Sequence, residues 1–430
     1  MSSTISKFNQ KLMEFLDQSP STFHATATMV RALKAEGYVE LSEQDSWRLK
    51  AGGQYYIIRG GSSLIAFSLA RGRRSFDGFH MMGAHTDSPA LKVRSNPERV
   101  KSGFGQLGVE VYGGAILNSW FDRDLSIAGR VSYLTSGSKI KHQLIDFARP
   151  VATLPNVAIH LNPKVNSGQA LSLHKELSPI LLEAKDKFVW EDVVKKELKR
   201  ANVSLSIKKI LDFDLFLYDQ HKASFVGANQ DFIASGRMDN LVSCFVGQEA
   251  LLNAPRNSNS LLICTDHEEV GSSSVTGAAG PFLEDVLRRI YDGQENFSRG
   301  VSRSMMLSCD NAHAVHPNYG EKYEMSSAPL MNQGPVLKLN AKQRYATSSE
   351  SSAFLELVAK KANVPLQRYV SKNDVPCGST IGPITATRIG IRTIDIGVPS
   401  LAMHSIRELI GSRDGHLLFK LLKQFLKSAQ

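Results

Sequence analysis

Residues 240–269 read NLVSCFVGQEALLNAPRNSNSLLICTDHEE, and the order of textures in this stretch decides the fold class. Apolar residues over 240–253 recur at helical spacing, whereas Leu261-Leu262-Ile263-Cys264 is a short uninterrupted apolar run of the kind that fills a buried strand. The run ends in His267 and the adjacent Glu268 and Glu269. Helix followed by apolar strand recurs downstream, in PFLEDVLRRIYDG then SRSMMLSCDNAH, and in SSAFLELVAKKANV then IRTIDIGVP. A final helix is expected near GHLLFKLLKQFLK. This alternation predicts an α/β layered fold around a mixed sheet.

Upstream, residues 21–34 carry helical spacing, and GGQYYIIRG, SSLIAFSLA and FHMMGAHTDSP read as strands. Between them and the opening stretch the texture changes. VEVYGGAIL, GRVSYL and VAIHLNP alternate like strands, and KELSPILLEAKDKFVWEDVVKKELKR reads as a charged helical stretch. The expected organisation is therefore an α/β domain over 1–92 and 233–430, interrupted by an inserted domain over 93–232. GFGQLG at 103–108 matches GxGxxG by letter, but a strand-like segment follows it where a dinucleotide fingerprint needs a helix.

The chain has 430 residues, 42% hydrophobic and 21% charged, which allows a large core. No long uncharged apolar stretch is present, so no membrane span is expected. The first residues read as an amphipathic helix rather than a secretory leader, and a cytoplasmic location is the expectation. Cys244, Cys264, Cys309 and Cys377 form no CxxC pair and are expected to be reduced thiols. The net charge of +10 comes without a basic stripe interleaved with aromatics, which argues against nucleic acid and for acidic ligands.

Two carboxylates side by side at a strand end are costly unless a cation or a proton compensates them. HTD at 85–87 ends another apolar run, where Asp87 can orient the imidazole of His85 while its other nitrogen faces a metal. Asp239 in SGRMDNL, Glu269 in HEEV, Asp310 in SCDNAH and His404 in LAMHSIRE each stand beside an apolar segment and a turn residue. Two histidines, two aspartates and a glutamate are the donor set of a two-metal site. Glu269 would then bind metal and Glu268 would take a proton. Gly271 stands where HExxH needs its second histidine, and there is no GxSxG nucleophile elbow. His313 and His316 form an HxxH segment ahead of Pro317, open between hydrogen-bonding and substrate-contact roles.

GAHTDSP, SGRMDNL, HEEVGS, DNAHAVHPNY, LKLNAKQRYA, NDVPCGSTIGP and LAMHSIRE together resemble the M18 family of metallo-aminopeptidases, the aspartyl aminopeptidase group. The resemblance implies an α/β/α sandwich zinc-exopeptidase domain with an inserted β-rich dimerisation domain, two zinc ions per subunit and a tetrahedral dodecamer built from dimers. Co2+ or Mn2+ are possible substitutes for zinc. By motif, His85 and Asp310 would bind one zinc, Glu269 and His404 the other, and Asp239 would bridge them; Glu268 would be the general base and Asp87 the orienter. Lys338, Tyr345 and His313 would contact substrate, as would His160 from a neighbouring subunit. For His160 a metal-ligand role and a plain structural role stay open. The implied reaction removes N-terminal acidic residues from peptides. A neutral preference, a related metal-dependent deacylase and a noncatalytic metal-stabilised assembly are the competing readings.

Overall fold

The computed structural model describes residues 3–74, 76–168, 170–202 and 206–428. Four parallel strands organise the first of two units: β1 (His80–His85), β2 (Ser260–Thr265), β3 (Met305–Cys309) and β4 (Arg392–Gly397), in the spatial order β2-β1-β3-β4. Ser63–Ser68 and Gln54–Arg59 extend the sheet antiparallel beyond β2, and Val39–Glu40 closes that edge. Val336–Leu339 runs antiparallel beside β4, and Gln367–Val370 forms the other edge. The sheet is thus mixed, with nine strands.

These strands are apolar on both faces because both faces are covered. Met82 and Ala84 of β1, Leu262 and Cys264 of β2, and Leu307 and Cys309 of β3 enter one core, together with side chains of the helices Ser3–Asp17, Thr22–Ala35, Met238–Leu252 (α1), Ser349–Ala362 and Asp414–Phe425. Their neighbours in sequence, Met81, Leu261, Ile263 and Met306, enter a separate core under Phe282–Ile290 and Gln294–Ser302. The period-two split of each strand between two cores is what an α/β/α sandwich requires. A five-stranded sheet that includes Phe232–Ser235 and Glu408–Gly411 belongs to the same unit. The unit comprises the chain up to Ser88, Ala223–Met403 and Glu408 onward.

The second unit comprises Pro89–Lys222 and His404–Arg407. It is a six-stranded antiparallel sheet in the order Ile140–Asp146, Leu125–Thr135, Ile207–Asp219, Ala90–Lys101, Phe104–Tyr112, Ile180–Glu183. Helix Trp190–Ala201 contributes Trp190, Val194 and Leu198 to its core. GFGQLG lies at a hairpin turn, with Gly103 at φ 86° and the strand starting at Phe104, so its letters have no phosphate-binding context.

Two expectations are corrected. The charged stretch after Lys175 is not one helix: beyond Pro179, residues Ile180–Glu183 form the edge strand and the helix begins at Trp190. VAIHLNP is not a strand. Pro155 and Pro163 bracket it, each without an N–H for a ladder, and the amides of Leu161 and Asn162 close a turn on the Ala158 carbonyl instead.

Candidate active site

Because β1, β2 and β3 are parallel and adjacent, their carboxyl ends open on the same side, the position where α/β sheets present ligand sites. His85 is the last residue of β1, Glu268 and Glu269 follow β2 in a short 3-10 turn, and Asp310 follows β3 directly. Asp239 enters from the start of α1, where it and Asn240 depart from helical φ/ψ.

The side chains converge. His85 Nε2 lies 3.5 Å from Asp239 Oδ1 and 3.7 Å from Asp310 Oδ1. One ligand atom each from His85, Asp239 and Glu269 fall within 4.8 Å of one another. His85 Nδ1 donates to the Asp87 carbonyl oxygen at 3.0 Å, which turns Nε2 toward the carboxylates. The Asp87 carboxylate is 3.4 Å from Nδ1, and its two oxygens accept the backbone amides of Glu268 and Glu269, each at 3.1 Å. Asp87 therefore orients the imidazole mainly through its main chain and clamps the Glu-Glu turn through its side chain. The clamp joins residues about 180 apart, so no spacing in the sequence announces it.

The electrostatics are those of a cation site. Like charges about 4 Å apart repel by roughly 4 kcal/mol at an effective dielectric near 20. Burial alone would lower the His85 pKa, yet the carboxylates of Asp239, Asp310 and Asp87 together hold it well above the ordinary range. Burial raises Glu268 to about 7; His85 opposes the rise, while Asp310, Asp239 and Asp87 add to it. An imidazole and several carboxylate oxygens in one buried cluster suit a divalent transition metal such as zinc, whose charge offsets theirs.

Lys338 is 2% exposed, and its Nζ lies 3.3 Å from Asp310 Oδ2 and 5.3 Å from the centroid of Tyr345. Tyr345 packs edge-on to Tyr369, and Tyr369 to the ring of the exposed His313. Lys338 and Tyr369 are paired in register on neighbouring strands. Tyr369 escaped sequence reading because it stands in no carboxylate or histidine motif. Asp395 escaped it too. This wholly buried carboxylate of β4 accepts from Thr380 Oγ1 at 2.6 Å and from the Ala346 amide at 2.6 Å, tying the NDVPCGSTIGP and LKLNAKQRYA motifs to the sheet.

His404 belongs to the second unit; its Nδ1 donates to the Gly114 carbonyl at 3.2 Å. His160 is exposed in the turn of the second unit described above. His316 Nδ1 accepts the Asn318 amide at 3.1 Å, a local turn contact.

Residues 15–426 match the family described as Aminopeptidase I zinc metalloprotease (M18). A probable M18 family aminopeptidase 2 of Stutzerimonas stutzeri (strain A1501) is 49% identical over 426 residues, covering 99% of both chains. Among solved structures, a chain of the Ape4 and Nbr1 complex superposes with a TM-score of 0.95 at 36% identity, over 99% of this chain and 86% of that one. The S. cerevisiae mApe1 dodecamer gives 0.86 at 27% identity, over 99% and 97%. With a family match across nearly the whole sequence and an aminopeptidase relative at this identity, the chain belongs to the M18 family of zinc metallo-aminopeptidases.

Proposed function

We propose that this enzyme removes acidic N-terminal residues from short peptides, using two zinc ions per subunit. The observation that carries the reading is the convergence of His85, Asp239, Glu269 and Asp310 at the ends of adjacent parallel strands, with Glu268 beside them. By motif, His85 and Asp310 would hold one ion, Glu269 and His404 would hold the other, and Asp239 would be shared. Bound there, zinc supplies a Lewis acid for the scissile carbonyl and acidifies the attacking water. Glu268 accepts the proton of that water and returns it to the leaving amine, with its backbone fixed by Asp87. Beside bound cations the raised Glu268 carboxyl would ionise more readily and work as a carboxylate at neutral pH. Lys338 supports the acidic preference, as a buried ammonium beside Asp310 and under Tyr345. Tyr345 and His313 line the same group of rings.

We further infer that the second unit serves assembly, that the subunits form a homo-oligomer of the dodecameric kind, and that the protein works in the cytoplasm. The dodecamer of the yeast relative and the exposed apolar residues around His160 support assembly. No helix among the described residues is long and apolar enough to cross a membrane.

The test couples elemental analysis to a panel of Asp-, Glu-, Ala- and Leu-terminated peptides, each free and N-acetylated. The expected result is two zinc per chain, chelator-sensitive cleavage of the free Asp and Glu peptides, and none of the acetylated ones. Cleavage of the acetylated forms would favour a deacylase. Equal rates on Leu and Asp would remove the acidic preference.

A further inference from the structure

Glu408 has no role in the reading above, although it ends the LAMHSIRE motif. It is 2% exposed and opens the strand Glu408–Gly411. Its Oε2 accepts the backbone amide of Asp239 at 2.9 Å, across 169 residues of sequence. Asp239 stands in the first turn of α1, where backbone N–H groups have no intrahelical acceptor. The residue at the N-cap, Arg237, has φ 60° and makes no side-chain capping bond. A buried carboxylate from a distant strand thus does the work that a local Ser, Thr or Asp usually does at a helix start.

The delivery is rigid. Glu408 is paired in register with Ser235, the last residue of Phe232–Ser235, and the chain reaches Asp239 four residues later. The Asp239 main chain is held on its other side as well, since Ser88 Oγ donates to the Asp239 carbonyl at 2.6 Å. Asn240 Nδ2 donates to the Cys309 carbonyl at 2.7 Å, one residue before Asp310. Two candidate ligands are therefore linked through main-chain contacts, and Glu408 is the charged member of that frame.

We propose that Glu408 is a positioning residue for the metal centre: by holding the amide of Asp239 it sets where the Asp239 carboxylate stands among His85, Glu269 and Asp310. The inference rests on Asp239 being a metal ligand. It assigns to Glu408 a contact with the ligand's backbone and none with substrate.

Glu408→Gln and Glu408→Asp separate reach from charge. Glutamine keeps an oxygen at the same reach and loses the charge, whereas aspartate keeps the charge and withdraws the oxygen by one methylene. Zinc affinity is measured by chelator competition on the full chain, beside Asp239→Ala and with the thermal midpoint of each metal-free protein as a folding control. Glu408→Gln is expected to bind zinc within a few-fold of wild type. Glu408→Asp should bind roughly 10–100-fold more weakly, as for other groups that orient a ligand, with its metal-free midpoint within a few degrees of that of Glu408→Gln. Wild-type affinity in Glu408→Asp, or the reverse order of the two variants, overturns the proposal. Undiminished zinc binding in Asp239→Ala sinks the ligand reading instead, independently of Glu408.

Discussion

At the scale of single residues, the proposed chemistry asks two neighbouring glutamates to do different work. Glu269 has an oxygen within the ligand cluster, whereas Glu268 is pushed to about 7 by burial and, against the pull of His85, by the carboxylates around it. An amide is isosteric with a carboxylate but cannot take a proton. Glu268→Gln should therefore keep its zinc and its substrate affinity while kcat falls ~10²–10⁴-fold; single-turnover kinetics with metal analysis checks this, and a near-normal kcat would assign the base elsewhere. The side chains that converge, His85, Asp239, Glu269 and Asp310, were legible in the sequence because carboxylates and histidines at the ends of apolar runs are uncommon and have few structural uses. Their supports were not. The carboxylate of Asp87 on two amides, Glu408 on Asp239 and Asp395 on Ala346 are bonds from side chain to distant backbone, which leave no periodicity behind.

At the scale of elements, the central strands were legible for a physical reason: strands covered on both faces are buried at every position and apolar between their polar ends, as HMMGAH and SLLICT are. VAIHLNP misled because alternation describes a strand only where the backbone can donate to a ladder, and its bracketing prolines cannot. The packing of β4 against the turn after β3 makes a sharper demand. The Asp310 amide donates to Ile396 at 2.9 Å, and a Cβ on Gly397 would stand 1.7 Å from the Asp310 carbonyl oxygen. Backbone must move to accept one methyl group. Gly397→Ala is thus expected to destabilise the first unit by on the order of 3 kcal/mol or more and to lower zinc content, both visible in urea unfolding and elemental analysis; a wild-type midpoint would show that the strand end yields freely. The opposite end of the sheet gives a pH effect. His80 opens β1, buried edge-on against Phe425, and burial lowers its pKa from 6.5 to about 4. In that window the unfolded chain binds a proton that the folded one excludes, so stability is complete above 6.5 and falls as pH drops toward 4. Relative to His80→Phe, the wild-type protein should lose about 2 kcal/mol between pH 7 and pH 5. Parallel stability curves for the two proteins would assign the acid sensitivity to other groups.

At the scale of the whole molecule, the second unit raises a question that its own core does not answer. Val157, Ile159 and Leu161 are 56%, 48% and 81% exposed and flank His160 on one turn, a set of apolar side chains that a solitary subunit has no reason to present together. In a symmetric assembly such a turn is covered by another copy, and a histidine at its tip is carried to that copy's surface. If His160 serves a neighbour's active site, then His160→Ala should lower activity while the particle and its zinc remain intact. Mixing separates the two places where the defect can lie. His160→Ala and Glu268→Gln subunits, each impaired alone, are dissociated, combined and reassembled. In hybrid particles some sites then pair an intact Glu268 with an intact His160 from the adjoining subunit, and those sites should recover part of the wild-type rate. With random mixing of equal amounts the recovered share follows from counting interfaces: a site needs an intact base in its own subunit and an intact histidine next door, so about one site in four qualifies. No recovery after verified exchange would put His160 in its own subunit's site, and loss of zinc in His160→Ala would make it a ligand.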